Sequence, residues 1–230
     1  MIKQTVFCLF ICLLFFESSK TQEEKDSLIM NLNLKFDTNT FELNKKYVSK
    51  NKDTLQVNLV KFYISKIQIE YSDKSIFSEE NSYHLIDIEN PNSLKIPICK
   101  KADKIINKIT FNIGVDSIAS TSGALSGDLD PTKGMYWAWQ SGYINMKIEG
   151  KSSSCKTRKN DFQFHIGGYL KPNYSLREIT LFPKSNQLDI AVNLAYFFDE
   201  IQLSKTNSVM IPCKKAMELA NLSTKMFYIE

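Results

Sequence analysis

Signatures of catalysis are what this 230-residue sequence most clearly lacks. It has no GxSxG nucleophile elbow, no P-loop, no HExxH and no Rossmann glycine fingerprint, which sets aside the enzyme classes built on those motifs. No CxxC occurs, which excludes a thioredoxin-like centre or a zinc ribbon. There are only two histidines, and a lone imidazole without an oriented base partner is a poor catalyst. The chain is therefore expected not to be an enzyme. Glycine and proline are scarce, at eight and six residues, against a richness in Asn, Lys and Ile that is as compatible with genome bias as with function. Repeats, low-complexity segments and linkers are absent. The net charge is only +4 and its basic residues are scattered rather than striped, which gives no case for nucleic acid binding.

One long apolar run is present, and it lies at the N-terminus. Lys3 supplies a positive n-region, Thr5 to Phe16 is an unbroken apolar stretch, and the polar ESSKTQEEKDS follows. A membrane helix needs roughly 20 apolar residues and a stop-transfer flank, so the pattern reads as a cleavable secretory signal over residues 1–22. Cys12 has no good lipobox before it. The expectation is a periplasmic, extracellular or cell-surface protein, with no membrane span in the mature chain and one domain over residues 23–230. Of five cysteines, Cys99, Cys155 and Cys213 stay in that domain. In an oxidising compartment the simplest arithmetic is one disulfide and one free thiol, with spacing unable to choose the pair.

Period-2 patterning dominates the remainder. Met30, Leu32, Leu34 and Phe36 alternate with polar residues, as do Leu55, Val57 and Leu59. The pattern resumes at Ile67, Ile69 and Tyr71 after a phase slip over residues 61–66, which a bulge would explain. Further strands are expected at Ile109/Phe111/Ile113, Ile144/Met146/Ile148, Phe162/Phe164/Ile166, Ile179/Leu181 and Leu188/Ile190/Val192/Leu194. One convincing helix runs from Lys214 to Ala220, opened by Pro212. The expected fold is mostly β: a β-sandwich of antiparallel and mixed strands with a short C-terminal helix.

All eight glycines fall between Gly114 and Gly168, and both tryptophans fall there too. Glycine admits positive φ and close chain approach, so this is a turn-rich segment inside a regular sheet protein, and any site belongs here. His165 shares a strand face with Gln163, opposite Phe162, Phe164 and Ile166, and adjoins the Gly167-Gly168 pair. It either meets a ligand or is a hydrogen-bonded or solvent-exposed residue. His84 shares its face with Ile86 and Ile88 and reads better as a satisfied, semi-buried residue. If MYWAWQSGY is extended, Trp137 and Trp139 point the same way; they are then core packing, a metal's surroundings, or, with Tyr143, a sugar-stacking platform. Asp116, Asp128 and Asp130 lie in an acidic loop whose spacing is either a calcium loop without the full EF-hand pattern or plain Asx-capped turns.

Several strings taken together resemble the MbnP family of bacterial exported proteins: FNIGVDS (111–117), SGDLDPTKGMYWAWQSGYINMKIEG (126–150), FHIGG (164–168), VKFYISKIQIEY (60–71), YHLID (83–87) and the closing PCKKAMELANLSTKMF. They occur in the family's order and span most of the mature chain. The resemblance implies a β-sandwich outside the cytosol, related to copper-repressible surface proteins of methane oxidisers. It implies copper held by histidine imidazoles and by kynurenine, an oxidation product of tryptophan made by a MauG-like dihaem partner enzyme. Carried onto this chain, Trp137 or Trp139 is the oxidised residue and His165 an imidazole ligand; imidazole suits copper, and opening an indole exposes an aromatic amine that can also ligate. The sequence departs from the pattern in one respect. Copper-binding relatives place a histidine two positions from the modified tryptophan, and here both positions are tryptophan. His84 can replace that ligand only if its strand runs beside the WAW segment; Met135 and Met146 are the soft alternatives. The competing reading is a non-metal binding module, a surface or carbohydrate-binding sandwich with the aromatic platform.

Overall fold

A computed structural model describes residues 27–100, 104–140 and 142–230. The expected signal segment and the Cys12 question lie outside the described residues. From the N-terminal side the chain forms β1 (Ser27–Phe36), β2 (Asn39–Thr40), β3 (Lys46–Val48), the long β4 (Thr54–Tyr71), β5 (Ile76–Ser78), β6 (Tyr83–Asp87), β7 (Lys95–Lys100) and β8 (Ile106–Ile113). There follow helix α1 (Ser117–Thr121), β9 (Ile144–Ser152), β10 (Asp161–Gly167), β11 (Arg177–Leu181), β12 (Leu188–Asn193), helix α2 (Leu194–Phe198), β13 (Ser208–Val209), helix α3 (Lys214–Ser223) and β14 (Phe227–Ile229).

The strands make two sheets. The smaller runs β14-β12-β1-β2, with β7 also on β1; the larger runs β11-β8-β4-β9-β10-β13, with β3, β5 and β6 on the other edge of β4. The pairing is mixed, β1 with β12 and β10 with β13 being parallel. The two sheets close over one apolar core, to which β1 gives Met30, Leu32 and Leu34 and the larger sheet gives Phe62, Phe111, Ile148, Phe162 and Phe164. Along β1 the alternation is complete, every second residue being buried. That is the sandwich the sequence pattern called for.

Three differences from the sequence expectation have physical causes. Leu194 does not extend β12. Asn193 Oδ1 accepts from the Ala195 amide at 3.1 Å, so the side chain caps a helical turn where the strand would have continued. The C-terminal helix begins at Lys214 with Cys213 as its cap, placing Pro212 outside it. Finally, the structure pairs none of the three described cysteines: Cys155 is buried, Cys99 and Cys213 are half-buried, and all are free thiols. They are held apart in β7, in the β9–β10 hairpin and at the cap of α3.

The phase slip in β4 is real. The β4–β8 register shifts between Ser65 and Gln68, and Lys66 takes φ 53°, so Ile67 and Ile69 return to the core face after one irregular turn of chain.

Candidate functional site

The larger sheet has a second, outward face, and part of it is covered. β8 ends and β9 begins against the same stretch of β4: the Gly114 amide donates to the Tyr63 carbonyl at 2.9 Å, and Phe62 pairs with Met146. Residues 114–143, the glycine-rich segment, therefore leave the sheet and rejoin it at nearly one point. Asn145, buried at the rejoining end, holds the departing end through its Oδ1, which accepts from the Val115 amide at 3.0 Å, while its Nδ2 donates to Ser175 Oγ at 3.0 Å. Gly114 is obligatory here: φ is +114°, and a Cβ would lie 2.2 Å from the Asn145 Cγ.

The excursion lies back on the sheet and builds a second apolar cluster from Tyr63, Leu85, Val115, Leu129, Met135, Trp137, Tyr143 and Ile144. Tyr63 and Tyr143 meet edge to face with centroids 5.9 Å apart. Their hydroxyls donate to backbone carbonyls inside the excursion, Tyr63 to Asp128 at 3.0 Å and Tyr143 to Leu129 at 2.7 Å. MYWAWQSGY is not an extended strand. Trp137 N donates to Gly142 O at 2.9 Å and Ile144 N to Met135 O at 2.8 Å, which makes a hairpin whose tip carries both indoles.

The tryptophans touch, with centroids 6.0 Å apart and planes at 50°, but differ in environment. Trp137 is 6% exposed and Trp139 63%. The benzo edge of Trp137 lies against Gly167, where a Cβ would come within 2.6 Å of the ring. Gly167 lies two residues beyond His165 on β10, past a register shift at Ile166/Gly167, so Trp137 packs on the end of the strand that carries the imidazole.

His165 is 7% exposed and its Nε2 lies 2.6 Å from Glu149 Oε1. A carboxylate only accepts, so Nε2 carries the proton and Nδ1 keeps the lone pair. Burial pushes the His165 pKa down, with Lys147 adding to that and Glu149 partly opposing it. The ring is thus held neutral and fixed in orientation. Lys147 Nζ donates to the Gly134 carbonyl of the excursion at 3.3 Å and lies 3.7 Å from Glu149. His165, Lys147, Lys61 and Asp87 occupy one register row across four strands, closed by the Lys61–Asp87 ion pair at 2.8 Å.

The other sequence candidates stand elsewhere. His84 is on β6 facing the inner side with Ile86, its Nε2 3.0 and 2.9 Å from the two oxygens of Glu79. It is a satisfied, semi-buried residue on the face opposite His165, and β4 and β9 separate their strands; it does not supply the missing ligand. Met146 is in the inner core, whereas Met135 belongs to the outward cluster. The three aspartates do not converge. Asp116 caps α1 through the Ala119 amide at 3.0 Å and takes the Tyr83 hydroxyl at 2.8 Å and Lys66 at 3.2 Å. Burial pushes its carboxyl up, and these partners together bring it below its ordinary value. Asp128 accepts from the Leu85 amide and Lys133 at 2.9 and 2.6 Å, and Asp130 from Thr132 amide and hydroxyl at 2.8 Å each. Each carboxylate is occupied, Asp116 and Asp130 as caps and Asp128 by a β6 amide and a lysine. Among the described residues no group of three or more His, Cys, Asp or Glu side chains is gathered to hold a metal ion. A cleft of about 410 Å³ opens beside His84, Lys61 and Asp87, lined also by Lys95, Asp128 and Lys133; His165 and the tryptophans are not among its walls.

The aromatic platform loses two of its three rings, since Trp137 and Tyr143 are buried. Glu149 went unassigned in the sequence, and Gly167 was noted there only as half of the glycine pair beside His165. The pattern held a signal for the first: with Met146 and Ile148 inward, Lys147 and Glu149 must face outward with His165.

A two-sheet sandwich with an aromatic excursion folded over one face defines the class of fold. A solved structure of the same fold is MbnP from Methylosinus trichosporium, at a TM-score of 0.59 and 10% identity, with 77% of this chain and 78% of that chain covered. The MbnP family model matches residues 25–211, and the chain belongs to that family. Among curated proteins no sequence matches it. No described helix is long and apolar enough to cross a membrane.

Proposed function

We propose that the chain is an exported copper-handling protein, not an enzyme, whose site is His165 with the Trp137–Trp139 pair. The observation that carries this reading is the His165–Glu149 bond. An imidazole whose one nitrogen is tied to a carboxylate presents the other as a ligand in a fixed orientation, the usual arrangement behind a metal-bound histidine, and burial keeps it in the neutral, ligating form.

The side chains present meet copper's demands in part. His165 is the single imidazole on that face, so a second nitrogen has to come from beside it, and Trp137 is the residue laid there. As the family resemblance implies, oxidation of an indole to kynurenine by a MauG-like dihaem partner would expose an aromatic amine at that position. His165 and the altered Trp137 would then hold copper as cargo, with Glu149 orienting the imidazole. Trp139, exposed and in contact with Trp137, is the other residue open to oxidation. No comparable support exists for calcium at Asp116, Asp128 and Asp130, whose oxygens are already engaged.

Peptide mass spectrometry and metal analysis of protein from its native host test the reading together. The expected result is a tryptophan peptide that has gained one oxygen and lost one carbon, accompanied by bound copper. Intact Trp137 and Trp139 with no copper, in a host expressing the dihaem enzyme, would overturn it.

A further inference from the structure

We propose that the end of the sandwich opposite the tryptophans is a docking surface for anionic lipid headgroups, which holds the protein on a membrane with its aromatic site turned away. The basic residues look scattered in the sequence, but the fold gathers six of them. The β3–β4 hairpin brings Lys46, the first residue of β3, and Lys52, in its turn, and the β9–β10 hairpin brings Lys151, Lys156, Arg158 and Lys159. These turns are neighbours because β3, β4, β9 and β10 are adjacent: Lys46 pairs with Gln56 and Gln56 with Lys151. None of the six makes an ion pair among the described residues. The acidic groups at this end are largely committed elsewhere: Glu42 binds Lys45, Asp199 binds Lys50, and Asp53 is buried on the Leu203 amide. Asp161, half-buried opposite Lys151, and Asp37, exposed near Lys50, are the exceptions. Val48, 63% exposed, stands beside this group.

The chemistry favours lipid over a specific acidic protein. Five of the six cations are lysines, point charges on flexible stems that suit diffuse phosphates, whereas geometric recognition of a carboxylate uses the arginine fork. Clusters of four to eight basic residues attract anionic bilayers, and each contributes roughly a fivefold gain in binding. β10 starts at the hairpin and ends at Gly167 under Trp137, so the site lies about 20 Å from the basic end and stays open to the surroundings. The surface is independent of whether copper is bound.

Vesicle co-sedimentation of the purified protein tests this. Vesicles containing phosphatidylglycerol should retain the protein, pure phosphatidylcholine should not, and about 0.5 M salt should release it through screening. The triple variant Lys156→Glu, Arg158→Glu, Lys159→Glu should weaken retention at least about a hundredfold. The variant Lys171→Glu, Lys184→Glu, Lys214→Glu, with the same change of charge at exposed positions elsewhere, should retain most of it. All six side chains are exposed, and circular dichroism checks that both variants fold. Equal loss in the two variants would mean that net charge alone binds the vesicles and would overturn the proposal. Failure of the unaltered protein to bind anionic vesicles at low salt would also overturn it and leave an acidic protein as the partner for this end.

Discussion

Replacing Gly167 with alanine should lift Trp137 off the sheet while leaving the sandwich folded. Gly167 does not need glycine for its backbone; what forbids a side chain there is space. A Cβ would meet the Trp137 ring at 2.6 and 2.8 Å and the Tyr143 carbonyl at 2.8 Å, where carbon atoms prefer about 3.5–4.0 Å. The ring can retreat by about 1 Å, but the carbonyl belongs to the strand entry fixed by the Tyr143 and Ile144 backbone, so part of the clash stays. Overpacking of this kind costs about 1–3 kcal/mol, and for a chain of this size that lowers Tm by about 2–12 °C. The spectroscopic readout is clean because the chain has two tryptophans and Trp139 is already exposed. With Trp139 changed to Phe, fluorescence reports Trp137 alone: its emission should be that of a buried indole in the parent, and should move to the red and become open to acrylamide quenching in Gly167→Ala. Unchanged stability and unchanged emission would refute the claim that Trp137 is seated on Gly167 beside His165, and with it the geometric basis of the proposed site.

Three other outcomes follow from the hydrogen bonding. Glu149→Gln removes the group that raises the His165 pKa against burial, so the imidazole should titrate still further below its ordinary 6.5 in an NMR titration; an upward move would contradict the pairing. Because the unfolded chain binds this proton more readily than the folded one, stability is intact above the ordinary value and falls as pH drops through the folded value, and the variant should extend that loss to lower pH. Asp116→Ala deletes the α1 cap, worth about 1–2 kcal/mol, and removes one cause of the Tyr83 phenol being pushed up to about 12, burial being the larger. Phenolate titration should show Tyr83 ionising earlier, and no change would argue against the Tyr83–Asp116 bond. Cys155 is 2% exposed and its thiol is pushed up to about 11 by burial. Alkylation of the native protein should therefore modify Cys99 and Cys213 first, and an equal rate at Cys155, or a disulfide among the three, would be the contrary result.

The sandwich was legible because its strands are half-buried: β1 alternates without a fault, and the slip in β4 announced the Lys66 bulge. The outward face was harder. Tyr63 and Leu85 are buried on the side that alternation assigns to solvent, and nothing local to β4 or β6 says that a distant segment will lie over them. The concentration of glycine and tryptophan marked the segment that leaves the sheet and folds back over it, and placing His165 opposite the phenylalanines was correct. What the sequence could not carry was pairing between strands. Register puts Glu149 within reach of His165, and strand order puts His84 on the far side of β4 and the other face of the sheet. The MYWAWQSGY motif misled because two tryptophans at period 2 suit a strand, whereas Gly142, at φ +158° and packed under the Tyr169 ring, closes a hairpin.

The register row His165–Lys147–Lys61–Asp87 marks a boundary on the outward face. On one side the excursion seals Tyr63, Leu85 and Ile144; on the other the face stays bare down to the basic hairpin. The excursion is thus anchored to the sheet by its own cluster and shares little with the inter-sheet core, and segments of that kind open at lower free energy than the core does. Leu129 is a fair probe, since it is 6% exposed and belongs to the outward cluster. Leu129→Ala should cost about 2–5 kcal/mol where it acts. If the excursion is a separate opening unit, native-state hydrogen exchange should show that loss at the Trp137 and Ile144 amides, which close the tryptophan hairpin, while β9 and β10 amides facing the main core keep most of their protection. An equal loss at all of these amides would mean that the site and the sandwich open together, and the tryptophan hairpin could then not be altered chemically or exchanged for another without unfolding the protein that carries it.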